Sequence, residues 1–284
     1  MQRLNSDLAV FGYGQITSQL ISDIARDDTS IICVSNHRDF DLTKKLKNQV
    51  QFYNRSEITN YKLNCNSTLF VWKDPSALLE NNGNLNKWLL SDNYNCNQSL
   101  YLSSASVYGD ISGSISESKN NLEINVRANP KYMLEELLSV VMNSKLGRNL
   151  NLRVSNVYGV GLTYGFIASL LNSIKTGSSV KIFKGKEILR DYISINDVSF
   201  AIRCLIDSLP KHEVLNISTG IATSVSDVIG IFTELGLFFD KAIEETVGDN
   251  VKSSLVLDCS LLSQVINWHP KLLSEEIKAV LEVV

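Results

Sequence analysis

The chain has 284 residues, 44% hydrophobic and 20% charged, enough to bury the core of one large domain or two closely associated ones. A net charge of -3 and a pI near 5.7, with Lys and Arg scattered among acids, argue against nucleic acid or an anionic membrane as a partner. Apolar runs fall short of the ~18 residues that span a bilayer, and the N-terminus "MQRLNSD" lacks a signal-peptide core. The cytoplasm is therefore the expected location.

The five cysteines are far apart in sequence and mostly lie within apolar runs such as "SIICV" and "AIRCLI". This pattern predicts buried free thiols rather than disulfides. The three histidines are isolated from the cysteines, so no metal site is predicted.

Short apolar runs alternate with longer helical patterns. In chain order they are "DLAVF" and "QITSQLISDIA", "SIICV" and "DLTKKLKN", "STLFVW" and "SALLENNGNLNKWLL", "SLYLS" and "KYMLEELLSVVM", then "LNLRV". This order predicts repeated βαβ units and a doubly wound parallel α/β sheet of the Rossmann type. The asparagine-rich stretch 81–98 keeps Leu and Trp at helical spacing, which predicts a polar-faced helix and its exit loop. Residues 110–128 contain few large apolar side chains and are predicted to form a loop.

The stretch "FGYGQIT" follows the first predicted strand and opens the first helix. Gly12 and Gly14 would let the backbone approach a pyrophosphate, whose charge would sit against the helix N-terminus at Gln15 and Ile16. The alternative is a glycine turn without a ligand. Thr17 replaces the third glycine of the usual pattern, so the helix is expected to stand slightly farther from the sheet.

After the second strand the chain reads "VSNHRD". Ser35 and Asn36 carry no charge to repel a 2′-phosphate, and Arg38 is able to pair with one. These residues favour NADP over NAD, with NAD possible. The alternative is a solvated Arg38 that binds nothing.

Five stretches, "GYGQITSQL", "YLSSASVYG", "LRVSNVYGVG", "RDYISINDV" and "LNISTG", occur in an order that resembles the extended short-chain dehydrogenase/reductase family. This family contains the NAD(P)-dependent epimerases, dehydratases and reductases of nucleotide sugars. The resemblance runs from about residue 7 to the C-terminus. It implies a dinucleotide-binding domain at 1–160, to which 190–210 return, and a partly interleaved sugar-nucleotide domain at 161–284, with the sugar nucleotide between them.

The family's catalytic Ser or Thr corresponds to Ser104 in "SSASVYG". Its hydroxyl would hydrogen-bond the substrate oxygen that gains or loses hydride. A serine that caps a turn is the alternative interpretation.

Relatives place a catalytic Tyr four residues before a Lys on one helix. The favoured register puts Lys131 in the Lys position, so that the Tyr position holds Arg127. A competing register uses Tyr132 as the tyrosine and leaves Glu136 where the Lys belongs. Arg127 cannot replace a phenol, because the pKa of a guanidinium stays above ~12 in proteins. Pro130 predicts that the helix begins near Lys131, with Arg127 outside it.

Three replacements for the missing phenol stay open: Tyr132 on the same helix, Tyr108 in the serine loop, or a loop carboxylate such as Glu117 or Glu123. Tyr132 is ranked first, because it lies on the same helix as Lys131. Both tyrosines have packing as their alternative role.

Trp72 and Lys73 follow the predicted strand "STLFVW", where relatives usually have small residues. Lys73 is a candidate phosphate ligand, while Trp72 has the bulk to block a cofactor. On the substrate side, the resemblance implies that Asn156 lies near the sugar and diphosphate and that Arg190 clamps the nucleotide diphosphate. A surface ion pair is the alternative for Arg190.

The resemblance also implies a homodimer. In relatives, the helix that corresponds to "YMLEELLSVVM" joins a four-helix dimer bundle. Two function classes follow. The first is an NAD(P)-dependent enzyme that reduces, epimerises or dehydrates a nucleotide-linked sugar. The second is a non-catalytic protein that binds a nucleotide or sugar nucleotide on the same fold.

Overall fold

The computed structural model describes residues 1–25, 29–37, 39–46, 49–73, 75–118, 122, 129–179, 181–184, 188–208, 210–237, 244–247 and 254–281. For residues 40, 77–82, 181–184 and 244–247 it describes the backbone alone. Arg38, Glu123 and Arg127 lie outside the described residues, so the predictions made for them stay predictions.

The strands and helices follow one another along the whole chain. The strands are β1 Gln2–Phe11, β2 Ile31–Val34, β3 Val50–Tyr53, β4 Tyr61–Phe70, β5 Tyr94–Leu102, β6 Gly113–Ile115, β7 Arg148–Val154, β8 Asn156–Tyr158, β9 Lys181–Lys184, β10 Tyr192–Ser194, β11 Val214–Ile217, β12 Glu244–Val247 and β13 Leu255–Leu257. The helices are α1 Gln15–Ile24, α2 Phe40–Lys45, α3 Arg55–Ile58, α4 Ser76–Leu90, α5 Pro130–Asn143, α6 Phe166–Thr176, α7 Ile195–Ser208, α8 Val225–Glu234, α9 Ser260–Val265 and α10 Leu273–Leu281, with a 3-10 helix at Ala105–Tyr108.

A seven-stranded sheet has the order β11-β7-β5-β4-β1-β2-β3, and its pairs from β3 across to β7 run parallel. The predicted doubly wound α/β sheet is confirmed. From β1 the chain continues through β2 and β3 on one side of the sheet, and it then returns to add β4 on the other side of β1. The carboxyl ends of β1 and β4 therefore form the switch point, where ligands of such sheets bind.

Three details of the sequence interpretation differ from the structure. The sequence pattern does not reveal strand β3, and the exit loop assigned within 81–98 is partly strand, because β5 begins at Tyr94. The predicted loop at 110–128 contains strand β6, which pairs with β13. The start of α5 is confirmed: the helix begins at Pro130, and the Asn129 side chain caps it by accepting from the Lys131 N–H at 2.9 Å.

The chain divides into two compact units. Unit 1 comprises Met1–Val107, Ile124–Arg153 and Ser199–Leu215, and unit 2 comprises Tyr108–Glu123, Val154–Val198 and Asn216–Val284. The core of unit 1 packs the apolar side of α5 and Leu85, Trp88 and Leu89 of α4 against the sheet. Unit 2 has its own apolar core, which includes Tyr158, Leu170 and Phe232.

All five cysteines are free thiols, three of them buried. Among the helices of the described residues, none has the length and apolar character that crossing a membrane requires.

Candidate active site

The turn after β1 brings two backbone segments close together at the switch point. Gly12 has a positive φ of 107°. A Cβ added there would lie 3.2 Å from the Val71 carbonyl oxygen and 3.3 Å from Cδ1 of Trp72, so the turn is tight as well as left-handed. Gly14 begins α1 without a side-chain cap, and a Cβ at Gly14 would meet open space. The exposed first turn at Gln15 can therefore receive an anion.

The loop after β2 holds a carboxylate that is already engaged. The Asp39 carboxylate caps α2 and accepts the Tyr13 hydroxyl at 2.5 Å. These bonds, first that from the Leu42 N–H, lower the pKa of Asp39. Ser35 is buried and accepts from the His37 N–H, whereas Asn36 is exposed. Asn36, a predicted cofactor-binding residue, therefore faces solvent in this loop.

Trp72 is a core residue of unit 1. Its indole is 2% exposed, and its ring centroid lies 4.8 Å from that of Phe70 and 5.8 Å from that of Phe11. Aromatic packing of this kind accounts for the bulky side chain at this position. Lys73, the next residue, is exposed.

Lys131 joins the carboxyl ends of two neighbouring strands. Its Nζ donates to the Trp72 carbonyl oxygen, beyond β4, and to the Leu102 carbonyl oxygen, at the end of β5, both at 2.9 Å. The ammonium also lies 5.2 Å from the centre of the Tyr101 ring. These contacts hold the cation at the carboxyl ends of β4 and β5, and the assignment of Lys131 as the family's lysine stays a prediction.

Ser104 lies between β5 and the 3-10 helix. Its Oγ accepts from the Ser106 N–H at 3.1 Å, so Ser104 caps the turn. A hydroxyl that accepts one hydrogen bond still carries a proton to donate, and capping therefore leaves the catalytic interpretation open. Ser104 and Lys131 both lie within unit 1, at the carboxyl end of β5.

A buried hydrogen-bond network holds the start of the serine loop, the segment 103–108 that follows β5. Ser103 donates to Glu135 Oε1 at 2.5 Å, and Arg153 binds the same carboxylate at 3.1 Å and 2.7 Å. All three side chains are less than 5% exposed. A buried charge requires a partner, so Glu135 on α5 stays paired with Arg153. Since Ser103 is bonded to the same carboxylate, the start of the loop is fixed relative to α5.

The candidate replacements for the phenol have partners of their own. Burial and the neighbouring Glu136 carboxylate raise the pKa of Tyr132. Tyr108 is fully buried and donates to Asn216 Oδ1 at 2.7 Å, while Glu117 accepts from the Asn216 N–H at 2.9 Å. Tyr108 and Glu117 thus support the turn at Asn216 in unit 2. Their role as the proton-transfer group stays a prediction, as does that of Tyr132.

In unit 2, the buried carboxylate of Asp191 organises the segment after β11. It accepts from the N–H groups of Thr219 and Gly220, from the Thr219 hydroxyl and from Ser155, at 2.9 Å to 3.1 Å. Burial nevertheless raises the pKa of Asp191. Asn156 donates from its side chain to the Asp191 carbonyl oxygen at 2.9 Å. Asn156 therefore lies directly beside the backbone that carries Arg190.

Arg190 lines a cavity of about 840 Å³ within unit 2. The guanidinium is partly buried, which lowers the pKa of Arg190, and it donates to the Leu189 carbonyl oxygen at 2.9 Å. A cavity of this size is typical of small-molecule sites. Sequence reasoning missed other polar residues that line the cavity. The polar positions of "GVGLTYGFIASLLNSIKTGSS" were the available signal for four of them: Thr163, Ser169, Asn172 and Lys175.

The fold and the glycine turn define a class: α/β proteins with a dinucleotide-binding sheet. Within that class, residues 10–218 match the NAD dependent epimerase/dehydratase family, and the chain belongs to this family. The resemblance to extended short-chain dehydrogenases/reductases is confirmed.

Individual relatives are more distant. The chain is 29% identical over 257 residues to an ADP-L-glycero-D-manno-heptose-6-epimerase of Brachyspira hyodysenteriae, covering 79% of each chain. It is 25% identical over 187 residues to a dTDP-4-dehydro-6-deoxyglucose reductase of Escherichia coli, covering 64% of this chain and 59% of the relative. A solved UDP-glucose 4-epimerase of Thermotoga maritima, with UDP-glucose, has the same fold: its TM-score is 0.78 over 98% of each chain at 19% identity.

Proposed function

We propose that the chain binds NADP(H) and a nucleoside-diphosphate sugar and catalyses reduction, epimerisation or dehydration of the sugar. The observation that carries the proposal is the Lys131 ammonium, which is fixed by the Trp72 and Leu102 carbonyl oxygens at the carboxyl ends of β4 and β5, beside the switch point. The tight turn at Gly12 and the open space beside Gly14, where an added Cβ would meet nothing, fit a dinucleotide, because both allow close backbone approach.

Each residue then has a defined task. The N-terminus of α1 receives the pyrophosphate, and Lys131 holds the ribose hydroxyls of the cofactor. Ser104 donates its hydroxyl proton to the substrate oxygen, which stabilises negative charge as it develops there. Arg190 binds the sugar diphosphate, for which a guanidinium has matching charge and geometry. When bound, a nicotinamide cofactor supplies the capacity to accept and return hydride.

Calorimetric titration tests the cofactor. NADPH should bind more tightly than NADH, and Arg38→Ala should narrow that difference by about 1 to 3 kcal/mol, the range for hydrogen bonds to charged groups. Tighter binding of NADH would refute the choice of NADP. Failure of both cofactors to bind would refute the proposed function itself.

A panel of ADP-, dTDP- and UDP-linked sugars tests the substrate class, because the named relatives act on or bind such compounds. Arg190→Ala should weaken binding of the preferred compound about tenfold or more, the effect of losing a hydrogen bond to a charged group. Lys211→Ala removes an exposed positive charge as a control. Equal affinities of the two variants would show that Arg190 does not bind the diphosphate.

The second candidate is a non-catalytic protein that binds a nucleotide or sugar nucleotide. It is favoured by the engagement of the Tyr108 hydroxyl, one of the candidate phenols, with Asn216 Oδ1. The discriminating variant is Arg127→Tyr. If the natural chain binds cofactor without turnover and Arg127→Tyr creates turnover, the second candidate holds. Turnover by the natural chain eliminates it.

A homodimer through α5 is also proposed. Met133 and Val140 are 47% and 64% exposed, and they lie seven residues apart on one face of the helix. Light scattering should give twice the monomer mass for the natural chain and the monomer mass for Val140→Glu. Leu146→Glu, which alters an exposed apolar residue beyond the helix, should leave the dimer intact. Identical masses for both variants would contradict this interface.

A further inference from the structure

Two cysteines of unit 1 face each other across neighbouring strands. Cys65 on β4 is the register partner of Cys96 on β5, and both are 7% exposed. Register partners of parallel strands point to the same side of the sheet. The strands of a sheet lie about 4.8 Å apart, within the range of about 4.4 to 6.8 Å for Cα atoms joined by a disulfide.

One hydroxyl group contacts both sulfur atoms. The Thr68 Oγ1 lies 3.3 Å from the Cys65 Sγ and donates to the Cys96 Sγ at 3.1 Å. The Tyr94 hydroxyl donates to the same Thr68 oxygen at 2.8 Å. Burial acts to raise the pKa of Cys96, but hydrogen bonds from Cys65, Thr68 and other neighbours lower it. Cys96 is thus the cysteine of the pair that more readily becomes a thiolate.

A polar cavity gives access to this pair. It has a volume of about 510 Å³ and is lined by both cysteines together with asparagine, serine and aspartate side chains. Cys65 lies five residues before the end of β4 at Phe70, which corresponds to roughly 17 Å at the rise of a β-strand. The cavity is therefore separate from the switch point at the carboxyl ends of the strands.

We propose that Cys65 and Cys96 are a thiol–disulfide exchange site that reacts with a small disulfide such as glutathione disulfide. The Cys96 thiolate attacks one sulfur of the small disulfide, which forms a mixed disulfide and releases one thiolate. Cys65 then gives up its proton and attacks the Cys96 sulfur, which forms the Cys65–Cys96 bond and releases the second thiol. Two electrons pass from the cysteine pair to the small disulfide, which is reduced to two thiols.

The site is tested by incubating the folded chain with glutathione disulfide. Thiols titrated after unfolding in acid-quenched samples should fall from five to three, and peptide mapping should find one bond, between Cys65 and Cys96. Cys65→Ser should accumulate a mixed disulfide at Cys96. Cys96→Ser should react at Cys65 at least about tenfold more slowly, since the thiolate is the attacking form.

Several outcomes would overturn the proposal. One is retention of all five thiols in the folded chain when the unfolded chain reacts. Another is a mixed disulfide on Cys96 that persists in the natural chain. A third is a bond that joins Cys204 or Cys259, the partly exposed cysteines. Because the experiment contains no nicotinamide cofactor or sugar nucleotide, its result is independent of the proposed function.

Discussion

Replacing Glu135 with Gln tests whether the buried network below the serine loop stabilises unit 1. Glu135→Gln preserves shape but removes the charge that faces Arg153, where the shorter contact is 2.7 Å. Arg153 keeps its charge, because the pKa of a guanidinium lies above ~12. Removing one partner of a buried ion pair costs about 3 to 5 kcal/mol, a large share of the about 5 to 15 kcal/mol by which folded domains are stable.

The assay is urea unfolding followed by circular dichroism and tryptophan fluorescence, with Glu136→Gln as the exposed control on the same helix. The control should change stability by about 0.5 kcal/mol or less. The double variant Glu135→Leu/Arg153→Met should regain much of the loss, since no uncompensated charge remains. A cost below about 1 kcal/mol for Glu135→Gln would refute the reasoning, because even one unsatisfied buried polar group costs that much.

Two further predictions concern residues of unit 1 that lie near the proposed cofactor site. Gly12→Ala should destabilise unit 1 by about 1 to 3 kcal/mol in thermal unfolding, because Ala at φ 107° is strained and its Cβ meets the Val71 carbonyl oxygen; an unchanged melting temperature would contradict this. The lowered pKa of Asp39, caused first by the Leu42 N–H, gives stability that is present above its unfolded pKa of about 3.9 and is lost as the pH falls. Asp39→Asn should therefore reduce the loss of stability between about pH 4 and pH 2. The same fall in the free energy of unfolding in both proteins over this pH range would contradict the role given to Asp39.

The order of the elements could be predicted from the sequence, because apolar periodicity records which faces are buried. The full lengths of β1, β4 and β5 could not. Their first halves contain Asn, which is depleted in strands. In the structure, side-chain amides connect these halves across the sheet, Asn64 to Asn5 at 3.2 Å and Asn95 to Asn64 at 3.1 Å. Such cross-strand pairs depend on residues 59 and 31 positions apart, which local patterns do not reveal.

The candidate site shows the same division. The helix start at Pro130 could be predicted, because proline at the first helical position and Asn129 before it are local signals. The contacts of Lys131 with the Trp72 and Leu102 carbonyl oxygens could not, since they arise from the arrangement of three separate elements. A family motif thus predicted that Lys131 matters, while the fold determines what its ammonium touches.

Tyr132 is the first-ranked replacement for the missing phenol, and its raised pKa determines how it would act. Burial and Glu136 keep the phenol protonated at neutral pH. A protonated phenol suits reduction, in which the substrate oxygen gains a proton as the carbon gains hydride. Tyr132→Phe should then lower kcat about 100-fold or more, the usual contribution of general acid catalysis, with little change in KM. The natural chain should keep its activity up to about pH 9, since the pKa is raised above the ordinary ~10 of tyrosine. Tyr108→Phe tests the other tyrosine candidate: it removes a buried hydroxyl bonded to Asn216 and should leave kcat much less affected than Tyr132→Phe does. If Tyr132→Phe retains full turnover in an active enzyme, Tyr132 is a packing residue and another group transfers the proton.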